Sequence, residues 1–399
     1  MTLTLAPSSS LELLSAPEQA GDHLAQVAWR IGTEVAAEFA DDVDREARFP
    51  VEAVAALREE RLLSALLPEE LGGLGAGIGT VAAVVRALAY HCSATALALA
   101  MHSIEVVALE RFGTTPALRS FLADLAADQL LIANANSEVG IGSEPGRSNC
   151  ALVHADGRWT LEKDALAISY GEHADAIVAT ARRSPDGVET DQVLVLARKE
   201  DIELTPLSAW DTIGLRGTCS NSFRLQASGP EDAIFPVPFP QIAAAGVLHV
   251  GQILLSSVWL GLAERATAQV HQHVRREARR TIGVVPQSAV RLAELAVELQ
   301  ASRSMVACAV QTYEALADSE HIEDPGRLIA ARNLKVATSQ TAASLASQAL
   351  GICGISTFRR DAPQSLDRLI RDSHGGLVMV NNHSNLRLNA QALIARKSV

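Results

Sequence analysis

The chain has 399 residues, 48% hydrophobic and 20% charged, which suits two or three globular domains with a sizeable core. Its formal net charge of −12 argues against nucleic acid or an anionic membrane as the main partner, because either would draw on a basic surface. The five cysteines (Cys92, Cys150, Cys219, Cys308 and Cys353) are far apart and lack metal-ligand spacing, so no metal centre and a reducing, cytoplasmic setting are expected.

Residues 1–21 are expected to form a loose tail; Met1 to Ala20 carry no Lys or Arg, unlike a secretory or transit signal. Over 22–128 apolar residues recur at helical spacing, as in Leu97, Ala100, Met101, Ile104 and Ala108, predicting an all-helical first domain. The stretch 81–101 comes nearest to membrane-spanning length, but Arg86, His91 and Ser93 interrupt it. From 129 to 239 short runs rich in strand-formers alternate with Asp-Gly and Ser-Pro-Asp-Gly turns, predicting a small antiparallel β domain. From 240 to 399 the helical period returns, with long segments at 254–280, 289–317, 325–350 and 385–395 that suit an antiparallel four-helix bundle. The expected fold is thus α+β: helical domain, β domain, helical bundle.

The stretch Ser137-Glu138-Val139-Gly140-Ile141-Gly142-Ser143-Glu144 stands out at the start of the β domain. Alternating glycines between small hydroxyls let backbone N–H groups turn toward an anion, as phosphate-cradling nests require. By itself such a stretch is equally an ordinary loop.

Five stretches, in order, are similar to motifs of the acyl-CoA dehydrogenase superfamily. They are Leu67-Pro68-Glu69-Glu70-Leu71-Gly72-Gly73-Leu74-Gly75, the Ser137 to Glu144 loop, Ala167-Ile168-Ser169-Tyr170-Gly171, Gly214-Leu215-Arg216-Gly217-Thr218-Cys219-Ser220 and Gln348-Ala349-Leu350-Gly351-Ile352-Cys353-Gly354. The resemblance implies FAD, with FMN as the alternative, held between the β domain and the bundle of a homodimer or homotetramer. It places Ser137 at the pyrimidine edge of the flavin, Ser143 at the pyrophosphate and Ser169 beside N5, with Gly142 and Ile168 in the same two motifs. Arg279, in Arg279-Arg280-Thr281-Ile282-Gly283, would reach the pyrophosphate of a partner's cofactor, and Gln348, Gly351 and Gly354 would border the adenine end. Arg279 also reads as a solvated arginine at a helix end.

The resemblance further implies a catalytic glutamate, and this chain departs from it. After Arg371-Asp372-Ser373, an ungapped register puts Val380 where the base should be, and the alternative position on the first bundle helix reads His249-Val250-Gly251-Gln252. Neither valine nor asparagine accepts a proton at neutral pH. Among histidines, His102, His383, His374 and His249 are candidates for proton transfer, each equally a structural histidine. Asn381 and Asn382 offer amide donors to a substrate, or a helix cap before residue 384.

Three activities follow. The first is oxidation of the CH–CH group of an acyl-CoA or carrier-bound acyl thioester, with an electron-transfer flavoprotein as partner. The second is a flavin-dependent monooxygenase reaction using oxygen and reduced flavin from a reductase, for which Ala167 in place of the family's tryptophan opens room beside the ring. The third is a non-catalytic flavin- or acyl-binding subunit.

Overall fold

The computed structural model describes residues 15–141, 146–280 and 284–395. Gly142 and Ser143 therefore lie outside the described residues.

The helical N-terminal region contains α1 (His23–Ile31), α2 (Ala37–Arg45), α3 (Val51–Glu59), α4 (Ile78–His91), α5 (Ser93–Phe112) and α6 (Pro116–Asp128). Local chemistry sets several starts: Asp22 Oδ1 accepts from Ala25 N at 3.1 Å before α1, and α6 opens on a proline whose missing N–H would have been unpaired anyway. Helix α5 is apolar on nearly every face and is buried accordingly. By length and composition Ser93–Phe112 and Phe239–Arg280 would suit a membrane, yet both windows are mostly buried inside this fold, at 89% and 67%.

Two sheets follow. Strands β1 (Ile132–Ala135), β4 (Ala176–Arg182) and β5 (Gln192–Arg198) form one, in the order β1-β4-β5. Strands β2 (Val153–Ala155), β3 (Arg158–Ala165), β7 (Ser222–Pro230) and β6 (Ile202–Ser208) form the other, in the order β2-β3-β7-β6. The pairing is antiparallel throughout except for β1 and β4, which run parallel with Ile132 opposite Ala176. β4 and β5 are buried on both faces, so their apolar runs do not alternate, whereas β3 alternates cleanly with Trp159, Leu161 and Lys163 inward.

The bundle consists of α7 (Leu248–Arg280), α8 (Gln287–Leu316), α9 (Pro325–Cys353), α10 (Asp367–Val378) and α11 (Asn382–Ala395). α7 is its hub, packing on α4 and α5 as well as on α8, α9 and α10. Helix α10 is absent from the four long segments expected from periodicity, and it contains the pair Gly375-Gly376. Both glycines permit close packing inside a helix: a Cβ at Gly375 would fall 2.5 Å from Leu215 Cδ1, and one at Gly376 would fall 3.1 Å from Ser339 Cβ and Trp259 Cδ2.

Candidate active site

The two loops that leave β1 and β3 run side by side, joined where Val139 N donates to Asp164 O at 2.9 Å. Ser137 Oγ donates to Ala167 O at 3.0 Å and accepts from Ala167 N at 3.1 Å, so the structure brings the Ser137 and Ser169 loops together. Gly140 has φ +91° and meets only Asn149 Nδ2, at 3.8 Å, beyond its missing side chain. Ile168 is buried rather than facing a ligand with its side chain, and its N–H donates to Asn221 O at 3.0 Å.

The loop is anchored by a residue sequence reasoning passed over. Glu138 is buried, and its carboxylate accepts from Ser148 Oγ at 2.8 Å and from the backbone N–H of Asn149 and Cys150, both at 2.9 Å. The fully buried Lys163 ammonium stands 3.9 Å away and donates to Thr180 O and Oγ1. The acid thus clamps both ends of the 138–150 segment.

Beside Ser169 runs a chain of hydroxyls. Thr218 Oγ1 donates to Leu215 O at 2.9 Å, Thr218 and Ser220 are 2.8 Å apart, and Ser220 and Ser169 are also 2.8 Å apart. Each hydroxyl has one proton. With Thr218 committed to the carbonyl, Ser220 donates to Thr218 and Ser169 donates to Ser220, leaving Ser169 Oγ only lone pairs to present.

On the bundle side Val380, where the motif register expects the base, lies in the turn between α10 and α11, with φ +45° and 46% exposed. A buried cation lies beneath it. Lys335 Nζ on α9 donates to Gly376 O and Val380 O, both at 2.8 Å, and to Asn382 Oδ1 at 2.7 Å. Burial pushes Lys335 down to about 7, while the three acceptors around its Nζ favour the charged form. The Asn382 amide, read from sequence as a donor to substrate, is instead occupied: Oδ1 holds Lys335 and Nδ2 donates to Ser339 Oγ at 3.0 Å. Asn381 is the helix cap, its Oδ1 accepting from His383 N at 2.8 Å, and His383 itself is exposed on the first turn of α11. The Arg-Asp pair before the turn is structural too. Arg371 forks onto Asp44, and Asp372 accepts from Ser93 Oγ at 2.6 Å and Leu215 N at 2.7 Å.

His102 is corrected most clearly. It is fully buried, its Nδ1 accepts from Ile132 N at 3.1 Å and its Nε2 bonds Leu63 O at 2.7 Å, and burial lowers it to about 4. A neutral ring with both nitrogens tied to backbone holds α5 against β1 and is not a proton carrier. His374 bonds Ile370 O one turn back on α10. His249 lines a cavity of about 520 Å³ between α7, α8 and α9, with Ile253, Met305, Cys308, Arg327 and Leu334. Burial lowers it to about 4 as well.

Arg279 is exposed at the end of α7. Gly351 and Gly354, at the same end of the bundle, face open space, and a Cβ added at either would meet nothing within 4 Å. Gln348 is tied to Ser344 at 3.0 Å and Glu298 at 3.2 Å, bridging α9 to α8.

One acid missed in the sequence reaches the junction of α5 and β1. Glu105 is 4% exposed, and its carboxyl is raised to about 8 by burial, offset only by a hydrogen bond from the Asn134 side chain. The signal was available: Glu105 is the single acid in the largely apolar run 93–109. Next to it, Ile104 faces α7 at Gly251, where an added Cβ would stand 3.6 Å from Ile104 Cδ1.

Residues 20–129 match the acyl-CoA dehydrogenase N-terminal domain and residues 241–378 the acyl-CoA dehydrogenase C-terminal domain. The chain belongs to the acyl-CoA dehydrogenase superfamily. Within it, the chain is 27% identical over 354 residues to the amino sugar nitrososynthase DnmZ of Streptomyces peucetius, covering 85% of this chain and 84% of that protein. Its fold is similar to that of butyryl-CoA dehydrogenase from Megasphaera elsdenii (TM-score 0.82, 19% identity, covering 99% of this chain and 100% of that one). It is equally similar to FMN-bound TdsC, a dibenzothiophene monooxygenase from Paenibacillus sp. A11-2 (TM-score 0.82, 17% identity, covering 94% and 97%).

Proposed function

We propose that the protein is a flavin-dependent monooxygenase that receives reduced FMN or FAD and acts with oxygen on a small-molecule substrate. The observation that carries this reading is the turn between α10 and α11, where Val380 replaces an acid and Lys335, Asn382 and Ser339 fill the space beneath with a closed hydrogen-bond network. Desaturation needs a carboxylate there to take the α-proton. The likeness to a nitrososynthase and to a monooxygenase of this fold supports the same reading.

The residues present fit a flavin: hydroxyls on adjoining loops, a left-handed Gly140 that only the Asn149 amide approaches, and unfilled backbone at Gly351 and Gly354. Bound flavin supplies the electron transfer and the reaction with oxygen. Ser137 and Gly140 bind, and the Glu138 clamp holds their loop still. The hydroxyl chain leaves Ser169 Oγ as an acceptor, which suits an N–H group and so the reduced form of the ring. Lys335 fixes the turn that closes the substrate side.

Oxidation of an acyl thioester is the second reading, favoured by the carboxyl at the α5–β1 junction, Glu105. Anaerobic mixing of the flavin-loaded protein with a panel of saturated acyl-CoAs separates the two. We expect no bleaching of the visible flavin absorbance, and oxygen uptake once NADH and a flavin reductase are added. Bleaching by an acyl-CoA overturns the monooxygenase reading, and failure to bind either flavin leaves a non-catalytic subunit.

A further inference from the structure

The cavity of about 520 Å³ between α7, α8 and α9 falls within the range of about 300–1,000 Å³ usual for small-molecule sites. His249 and Ile253 stand four residues apart on one face of α7, whereas Gly251, about 200° round the helix from each, faces Ile104 of α5. The cavity therefore lies on the side of α7 away from α5. None of its lining residues belongs to the Ser137 loop, the Ser169 loop or the Val380 turn.

Its walls are mostly apolar, with Ile253, Met305, Ala309 and Leu334 among them. The two hydroxyls in the lining are engaged within their own helix: Ser304 Oγ donates to Gln300 O at 3.0 Å and Thr312 Oγ1 to Cys308 O at 2.8 Å. His249 is different. It is 6% exposed, yet neither ring nitrogen has a hydrogen-bond partner, and the Arg327 carbonyl lies near the ring without closing a bond to it. Burying a polar ring unpaired is unfavourable, and a ligand that meets its nitrogens relieves it.

Charge selects the ligand. Arg327 lines the cavity, Arg332 follows it on α9, and both guanidinium charges act on His249. Neither has a carboxylate partner among the described residues, and no Asp or Glu lines the cavity. Asp324, the acid nearest to Arg327 in sequence, caps α9 by accepting from Gly326 N at 2.7 Å. A guanidinium donates in a fork that fits a carboxylate, and a neutral imidazole has one further N–H to give.

We propose that this cavity is a second ligand site, which takes a small apolar monocarboxylate with its hydrocarbon body among Ile253, Met305 and Leu334 and its carboxylate at Arg327 and His249. The site does not depend on the flavin reading, because it shares no residue with the loops that carry that reading.

The test uses the full-length protein with and without saturating FMN, titrated calorimetrically with octanoate and with octan-1-ol as the uncharged counterpart. Octanoate is expected to bind once per chain with a Kd on the order of 0.1 mM, and octan-1-ol about tenfold more weakly. Arg327→Gln and His249→Leu each weaken octanoate about tenfold and leave octan-1-ol within about twofold. Cys308, an exposed free thiol in the lining, reports the location. Its alkylation by iodoacetamide, followed by peptide mass spectrometry, should slow about tenfold when octanoate is present at about ten times its Kd. That readout needs no substitution. Absence of octanoate binding, binding that leaves Cys308 unprotected, or an Arg327→Gln variant that weakens both probes equally overturns the proposal. Displacement of octanoate by FMN also overturns it, by placing the carboxylate in the flavin site.

Discussion

The β-domain side and the bundle side of the candidate site handle buried charge in opposite ways. On the β-domain side an acid, Glu138, is surrounded by donors that stitch a ligand loop together, with Lys163 as its distant counter-ion. On the bundle side a base, Lys335, is surrounded by neutral acceptors that stitch together the turn where the superfamily motif carries its glutamate. The β-domain side presents hydroxyls and a left-handed glycine, whereas the bundle side presents a fixed cation and, at the position where the motif register expects an acid, a valine. A group with every hydrogen bond satisfied holds shape well and performs proton chemistry poorly.

Removing each anchor breaks the comparison most directly. Glu138→Ala leaves Lys163 buried beside Thr180 without a counter-ion, and should cost about 3–5 kcal/mol in chemical denaturation together with loss of flavin binding. Lys335→Met leaves the Gly376 and Val380 carbonyls and the Asn382 amide oxygen short of a donor, an expected loss of about 3 kcal/mol, with flavin affinity retained in whatever fraction stays folded. If both variants lost flavin equally, the two sides would not be functionally distinct.

Glu105 sharpens the comparison through pH. Its folded value of about 8 lies above the unfolded value of 4.5, so the folded state binds the extra proton between them. Stability from this group is complete below about 4.5 and is lost as pH rises through about 8. Glu105→Gln should therefore gain stability relative to the wild type by a few kcal/mol between those limits, seen as denaturation midpoints that separate progressively as pH rises.

A smaller effect tests the hydroxyl chain. Thr218→Val removes the hydroxyl that fixes its direction, freeing Ser220 and hence Ser169 to donate. The ratio of reduced to oxidised flavin affinity should fall about tenfold, measured as a shift in the bound-flavin reduction potential. The smallest effect belongs to the bundle turn: Val380→Gly relieves the left-handed backbone of a β-branched residue and should stabilise by about 1 kcal/mol, provided the Lys335 contact to its carbonyl persists.

Much of this molecule was legible in the residues alone. The order of helical region, β region and bundle follows from periodicity, because the apolar positions of an amphipathic helix or half-buried strand must repeat with the element's own geometry. That the Ser137 and Ser169 loops adjoin was legible only through motif likeness. Helix α10 was not, since glycines that permit close packing against Leu215 and Trp259 look in one dimension like glycines that end a helix. Nor were the fates of His102 and Asn382. A side chain's chemistry depends on whether distant backbone has already taken its donors and acceptors, and Leu63, Ile132, Lys335 and Ser339 come to these residues only when the chain folds. The same reason hid Glu105, whose proton is kept by the absence of any cation around it among the described residues. Composition and spacing determine which elements form, while the three-dimensional packing alone decides which polar groups remain free to act.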